Sequence, residues 1–218
     1  MKKNRKPNQK KLTAVFVFAV MIIAGALLLF EYNYCPVDVI IDPGHGGSDV
    51  GAEYNGRYEK DDNLDISLKV CEILKDNGIK AALTRKEDKF ISLENRCRIA
   101  NFRKAKAFVA LHRNSADNAR GVEIWISGNA SDEESALANE IMNSLSQAGI
   151  SLDRGVKKGY AQGDGDYYIN KHTKMSSCLV ELGFINNEND NELFDKNIDS
   201  YAEAIAGAVI KYLEKNNG

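Results

Sequence analysis

The chain has 218 residues, 44% of them hydrophobic and 28% charged, with a formal net charge of −2 at pH 7. That length and apolar fraction suit one globular domain of about 150–200 residues. Lys2, Lys3, Arg5, Lys6, Lys10 and Lys11 all precede Leu12, and setting those six aside leaves the remainder at about −8, a balance that argues against a nucleic-acid partner.

The basic residues 1–11 lead into an apolar run over residues 12–30 in which Thr13 is the one polar side chain. About 19 residues is close to the roughly 20 needed to span a bilayer and exceeds most signal-peptide cores. No small-residue cleavage site follows Phe30, where Glu31, Tyr32, Asn33 and Tyr34 stand. The expectation is a retained membrane anchor, with a cytoplasmic flank at 1–11, a short linker at 31–36 and a domain at 37–218 outside the cytoplasm. If the segment were cleaved, the domain would be secreted. Cys35 lacks the preceding pattern of a lipid-modified cysteine. Cys71, Cys97 and Cys178 lie among apolar residues without paired-ligand spacing and read as core residues, with a Cys71–Cys97 disulfide open in an oxidising compartment.

From Val37 to Ile41 the chain reads as a buried strand that stops at Asp42-Pro43-Gly44-His45-Gly46-Gly47. Proline ends pairing and glycines permit unusual backbone geometry, so His45 stands just beyond a strand end, where open α/β sheets bind ligands. Taken alone, it is either a ligand or catalytic residue or an ordinary loop histidine. Leu64, Leu68, Cys71 and Leu74 recur at helical spacing over residues 61–77, and Gly78 marks the end. Residues 79–84 read as a strand. Ser92 can cap a helix running to about Arg103, and residues 107–111 follow as a buried strand with His112 directly after. Residues 121–126 form another strand. Ser131 and Glu134 make a capping box for a helix reaching Ala148. Residues 151–174 show no period and read as a long surface loop. Residues 178–180 form a last central strand ending at Glu181, and residues 198–213 a closing amphipathic helix. The alternation predicts a single α/β domain with a central sheet flanked by helices.

His45, His112 and Glu181 thus each close an apolar strand, and three such ends can converge on one side of a sheet. Imidazoles and a carboxylate are a common ligand shell for a catalytic zinc. Glu59, in Arg57-Tyr58-Glu59-Lys60, is a candidate third ligand, though its local setting by itself favours an ordinary helix N-terminal acid. Glu181, between Val180 and Leu182, would be half buried and in need of a partner.

At this point the residues resemble the zinc-dependent N-acetylmuramoyl-L-alanine amidases of bacterial cell-wall turnover, the type-3 amidase family. The matching pieces are Asp42-Pro43-Gly44-His45-Gly46-Gly47, Glu59-Lys60, Leu83-Thr84-Arg85, Leu93-Glu94-Asn95-Arg96, Ala100-Asn101, Leu111-His112-Arg113-Asn114, and Val180-Glu181-Leu182-Gly183-Phe184 with Asn186. The resemblance implies a mixed sheet flanked by helices. It implies one zinc held by His45, Glu59 and His112, with Glu181 catalytic. The substrate it implies is peptidoglycan, cut between the muramic lactyl group and L-alanine. A compact anchored form also resembles the spore-cortex amidases, which act with a protein partner. Arg113 stands where the family has a small residue, and Ser176-Ser177 where a proline often precedes the last strand. If extension persists past His112, then His112 and Asn114 share one face and Arg113 takes the other. There Arg113 would bind a carboxylate of the stem peptide or a partner, or form an internal ion pair. His172 matches no ligand and reads as a loop residue. A catalytically silent module that binds peptidoglycan or a partner, and a zinc peptidase or deacetylase of the cell wall, remain as alternatives.

Overall fold

The computed structural model describes residues 9–216, and within the first helix the side chains of residues 13–25. The chain divides after Cys35 into two units. The first holds α1 (Gln9–Tyr34), one helix through the apolar run. Among the described residues no helix is long and apolar enough to cross a membrane. The side chains of residues 26–30, like residues 1–8 of the basic flank, lie outside the described residues.

The second unit is built on β1 (Val39–Pro43), whose five residues are all buried, as an apolar run covered on both faces must be. A small hairpin follows, β2 (Glu53–Tyr54) and β3 (Arg57–Tyr58). Asn55 and Gly56 between them both have positive φ, the geometry of the tight turn that Asn-Gly favours. Then come α2 (Glu59–Asp76), β4 (Ala81–Leu83), α3 (Leu93–Phe102), β5 (Ala107–Asn114), β6 (Val122–Ile126) and α4 (Asp132–Gln147). The chain finishes with β7 (Asp153–Lys158), α5 (Tyr168–His172), β8 (Ser176–Phe184) and α6 (Glu188–Lys215). The six long strands lie in the spatial order β4, β1, β5, β8, β6, β7. Neighbours are parallel except β8 and β6, so the sheet is mixed.

Alternation along the strands splits the core in two. Val39, Ile41, Val109, Leu111, Ile124 and Val180 point to one face and pack on Ile66 and Leu74 of α2, Leu137 and Ile141 of α4, and Ile205 and Val209 of α6. Ile40, Phe108, Ala110, Trp125 and Leu179 point to the other, where the shorter α3 and α5 supply Cys97, Ala100 and Ile169. Fully burying one such Leu, Ile or Phe contributes about 1.5–3 kcal/mol. The second layer is thinner. Cys71 belongs to the first cluster and Cys97 to the second. The sheet separates them, both are free thiols, and the disulfide considered from the sequence does not form.

Ser92 accepts from the Asn95 amide and Ser131 makes its capping box with Glu134, both where the sequence places them. Two expectations change. The stretch 151–174 carries β7 and α5, leaving 159–167 as loop. Asp-Arg-Gly-Val-Lys-Lys can be a strand because it lies at the sheet edge, where every residue stays at least partly exposed. The final helix begins ten residues earlier than residue 198, at Glu188, where the Asn187 side chain caps it by accepting from the Asp190 amide.

Candidate functional site

His45 stands two residues beyond β1 with φ at +58°, a conformation that non-glycine side chains adopt at some cost. Its Nδ1 lies 2.9 Å from Asp49 Oδ1, and its Nε2 lies 3.2 Å from Glu59 Oε2. Asp49 therefore fixes the ring and turns Nε2 inward. The glycines around it serve close approach. A Cβ on Gly44 would fall 2.3 Å from Cε1 of His112, and one on Gly51 would fall 2.6 Å from Glu59 Oε2 and 2.7 Å from Cδ2 of His45.

Glu59 opens α2 and is 4% exposed. Its Oε1 lies 2.9 Å from His112 Nδ1 and also accepts from the Arg113 amide and Asn63. Its Oε2 accepts from the Ala52 amide. Burial pushes this carboxyl up, but the two histidines outweigh it and hold the group well below the usual carboxylate range. Burial lowers His45, and Glu59 and Asp49 more than restore it, so its pKa stands above the ordinary value. The ligand atoms of His45, Glu59 and His112 lie within 4.8 Å of one another. Two imidazoles and one carboxylate at that separation fit a tetrahedral divalent cation that keeps a position open.

Glu181 lies inside β8, three residues before its end, and is paired in register with His112 on one side and Glu123 on the other. All three side chains therefore share a face of the sheet. Glu181 is 7% exposed, and its Oε2 has no hydrogen-bond partner among the described residues. Burial first, then the charges of Glu59 and Glu123, push its carboxyl well above the usual range, against the pull of Arg113. Glu123 is satisfied in full: Asn114 and Trp125 donate to Oε1, and Arg154 and Lys157 to Oε2. Sequence reading missed Glu123 and Asp49. A charged residue between Val122 and Ile124 was the available signal for the first; nothing local marked the second.

Arg113 and Asn114 separate as strand alternation requires. Asn114 turns to Glu123. The Arg113 side chain is 0% exposed and faces the α2 and α6 layer, where Nη1 lies 2.6 Å from Asp62, Nη2 donates to Asn191, and the guanidinium sits 4.3 Å from the Phe194 ring centroid. It forms an internal ion pair. His172 falls in α5, stacked on Tyr168 and outside the histidine cluster.

The cluster lies at the floor of a cleft of about 1030 Å³. One wall is Phe90 to Glu94, before and at the start of α3; the other is the loop with Tyr160, Asp166 and Tyr167. Asp166 pins that loop to the end of β6 through Ser127 Oγ and the Gly128 amide.

Fold and site together define an α/β domain with a histidine and carboxylate centre capable of holding a metal, next to a second carboxylate, in an open cleft, one oxygen of which has no hydrogen-bond partner among the described residues. Residues 39–211 match the model of the N-acetylmuramoyl-L-alanine amidase family (Amidase_3), and the chain belongs to that family. It is 36% identical over 178 residues to the uncharacterised protein YqiI of Bacillus subtilis, covering 81% of this chain and 82% of that protein. It is 35% identical over 179 residues to the N-acetylmuramoyl-L-alanine amidase LytC of the same organism, covering 80% of this chain but 35% of LytC. Among solved structures, the amidase AmiC2 of Nostoc punctiforme superposes with a TM-score of 0.72 at 38% identity over 81% of this chain and 96% of that one. The CwlD amidase of Clostridioides difficile, solved in complex with the GerS lipoprotein, superposes with a TM-score of 0.74 at 28% identity over 82% and 99%.

Proposed function

We propose that this chain is a zinc-dependent peptidoglycan amidase that cleaves the amide between the lactyl group of N-acetylmuramic acid and the L-alanine of the stem peptide. The observation that carries the proposal is the meeting of His45, Glu59 and His112 beside the Glu181 carboxylate, whose Oε2 has no partner among the described residues, inside a domain that matches this amidase family along its length. His45, Glu59 and His112 would hold one zinc. The chemistry a bound zinc supplies there is polarisation of the scissile carbonyl and a fall in the attacking water's pKa toward about 7.

The chain's own residues do the rest. Asp49 holds the His45 ring at Nδ1, fixing which nitrogen faces inward. Asn63 and the backbone amides of Ala52 and Arg113 fix both oxygens of Glu59. Glu181 takes the proton of the attacking water on its carboxylate and delivers it to the departing alanine nitrogen. Burial, then the charges of Glu59 and Glu123, raise the proton affinity of this carboxyl above the usual range. The cleft walls at Phe90 to Glu94 and Tyr160 to Tyr167 would seat the substrate on either side of the bond.

Digestion of purified peptidoglycan by the purified chain with zinc, read by mass spectrometry, tests this. Free stem peptides beginning at L-alanine, with the lactyl group left on the glycan, are expected. Cleavage within the peptide or loss of acetyl groups would assign a different reaction, and binding without cleavage would leave a silent module.

Residues 12–30 would hold the domain at the outer face of the membrane; the support is their unbroken apolar sequence behind a basic flank. N-terminal sequencing of protein from cells decides it, since a mature terminus near residue 32 would show cleavage and secretion. The likeness to CwlD, solved in complex with the GerS lipoprotein, supports a protein partner; a place in spore-cortex remodelling is proposed only on the resemblance of this compact, anchored form to the spore-cortex amidases.

A further inference from the structure

Two buried arginines stand behind the histidine loop and have no part in the chemistry above. Arg85 is 3% exposed and Arg96 2%. Arg96 donates through Nη1 to Pro43 O at 2.6 Å, through Nη2 to His45 O at 2.6 Å, and through Nε to Ile91 O at 2.9 Å. The same Nη1 lies 2.7 Å from the buried Asp42 carboxylate, which Thr84 also contacts. Arg85 donates through Nε to Pro43 O at 3.1 Å and through Nη2 to Gly44 O at 2.8 Å. That same Nη2 reaches Lys60 O at 2.7 Å, one residue past Glu59. Three consecutive carbonyls, 43 to 45, are thus held by two planar forks, and one fork ties the His45 loop to the start of the helix that carries Glu59.

We propose that Arg85 and Arg96 are positioning residues for the metal ligands: they hold His45 at its positive φ and at a fixed distance from Glu59 before any metal arrives. The Asp49 side chain fixes the direction of the ring, and its backbone pairs with Gly46 to close the loop after His45. The place of the His45 Cα depends on the Pro43, Gly44 and His45 carbonyls, which the two guanidiniums meet, with Asn63 adding only a longer bond of 3.4 Å to Gly44 O. A lysine cannot replace either arginine here, because one ammonium on a flexible stem cannot span carbonyls that a guanidinium meets with several fixed N–H groups.

The inference rests on the zinc site proposed above, and the test separates the two. Arg85→Lys and Arg96→Lys keep the buried charge near Asp42, and the Tm of each variant is measured alongside. Ile141→Val, in the opposite core layer, serves as a control that is destabilised without touching the site. Zinc affinity of each full-length protein is measured by chelator competition, and backbone hydrogen exchange at Gly44 and Gly46 is measured in metal-free protein. The expected result is a zinc Kd raised about 10- to 100-fold in both lysine variants, the usual effect of losing ligand support. Faster exchange at the two glycines should accompany it, while Ile141→Val keeps the parent Kd despite a lower Tm. Lysine variants that bind zinc within twofold of the parent would overturn the clamp while leaving the zinc site standing. A parent that takes up no zinc would overturn the site itself, and this inference with it.

Discussion

Replacing Glu181 by Gln should separate metal binding from turnover. The change keeps the side chain's size and removes the base, and the residue is not among the three whose ligand atoms cluster. Zinc content should therefore stay at parent level. Loss of a positioned general base costs about 10²- to 10⁴-fold in rate, or about 3–5 kcal/mol of transition-state stabilisation. Stability should move the other way in metal-free protein. The folded pKa of Glu181 lies above its unfolded value because the group is buried beside Glu59 and Glu123. The folded state then binds more protons than the unfolded, so this group's contribution is fully present below an unfolded pKa of about 4.3 and is lost as pH rises through the raised folded value. Chelated Glu181→Gln should accordingly melt above the chelated parent at neutral pH, and the gap should close on acidification toward pH 4. Zinc content, melting temperature and muropeptide turnover measured on one preparation supply all three readouts. Turnover near the parent rate would refute the assignment, and loss of zinc would show that Glu181 is a ligand instead.

His112→Ala should fold and fail to retain zinc, so the rise in Tm that zinc gives the parent should vanish; full zinc occupancy by metal analysis would remove His112 from the site. Gly44→Ala would place a methyl 2.3 Å from the His112 ring and should displace it, weakening zinc binding by chelator competition and lowering the Tm; parent-level affinity would show that the loop yields freely. Arg113→Met removes one partner of a buried pair and should cost about 3 kcal/mol in denaturant unfolding, at the low end because Arg57 still holds Asp62. Activity per folded molecule should remain; a large fall in kcat with zinc bound would give Arg113 a direct role.

His45, His112 and Glu181 were legible as a group because each interrupts or follows an apolar strand, and strands of one sheet present their ends together. Glu59 was not legible from its surroundings, since an acid in the first turn of a helix has an ordinary explanation in the helix dipole; the family motif singled it out. β7 escaped because an edge strand can be polar on both faces and so carries no alternation to read. The first ten residues of α6 escaped because their apolar positions are sparse, although Asn187 offered a cap. Arg85 and Arg96 were visible as motif letters, but a fork that bonds carbonyls brought in from another strand leaves no trace in local spacing. The Cys71–Cys97 disulfide that the sequence left open could not be decided there, because the separation that matters is across the sheet, which the sequence interval between them does not record.

The order of the strands also governs when the centre can exist during synthesis. β8 lies between β5 and β6, yet it is the last strand to leave the ribosome. A chain that stops before Ser176 has two half-sheets, β4-β1-β5 and β6-β7, with nothing joining their inner edges. It has His45, Glu59 and His112 but no Glu181, and no floor to the cleft on that side. A chain cut short before Ser176 therefore lacks the proposed general base, and the centre is complete only once β8 has inserted between β5 and β6.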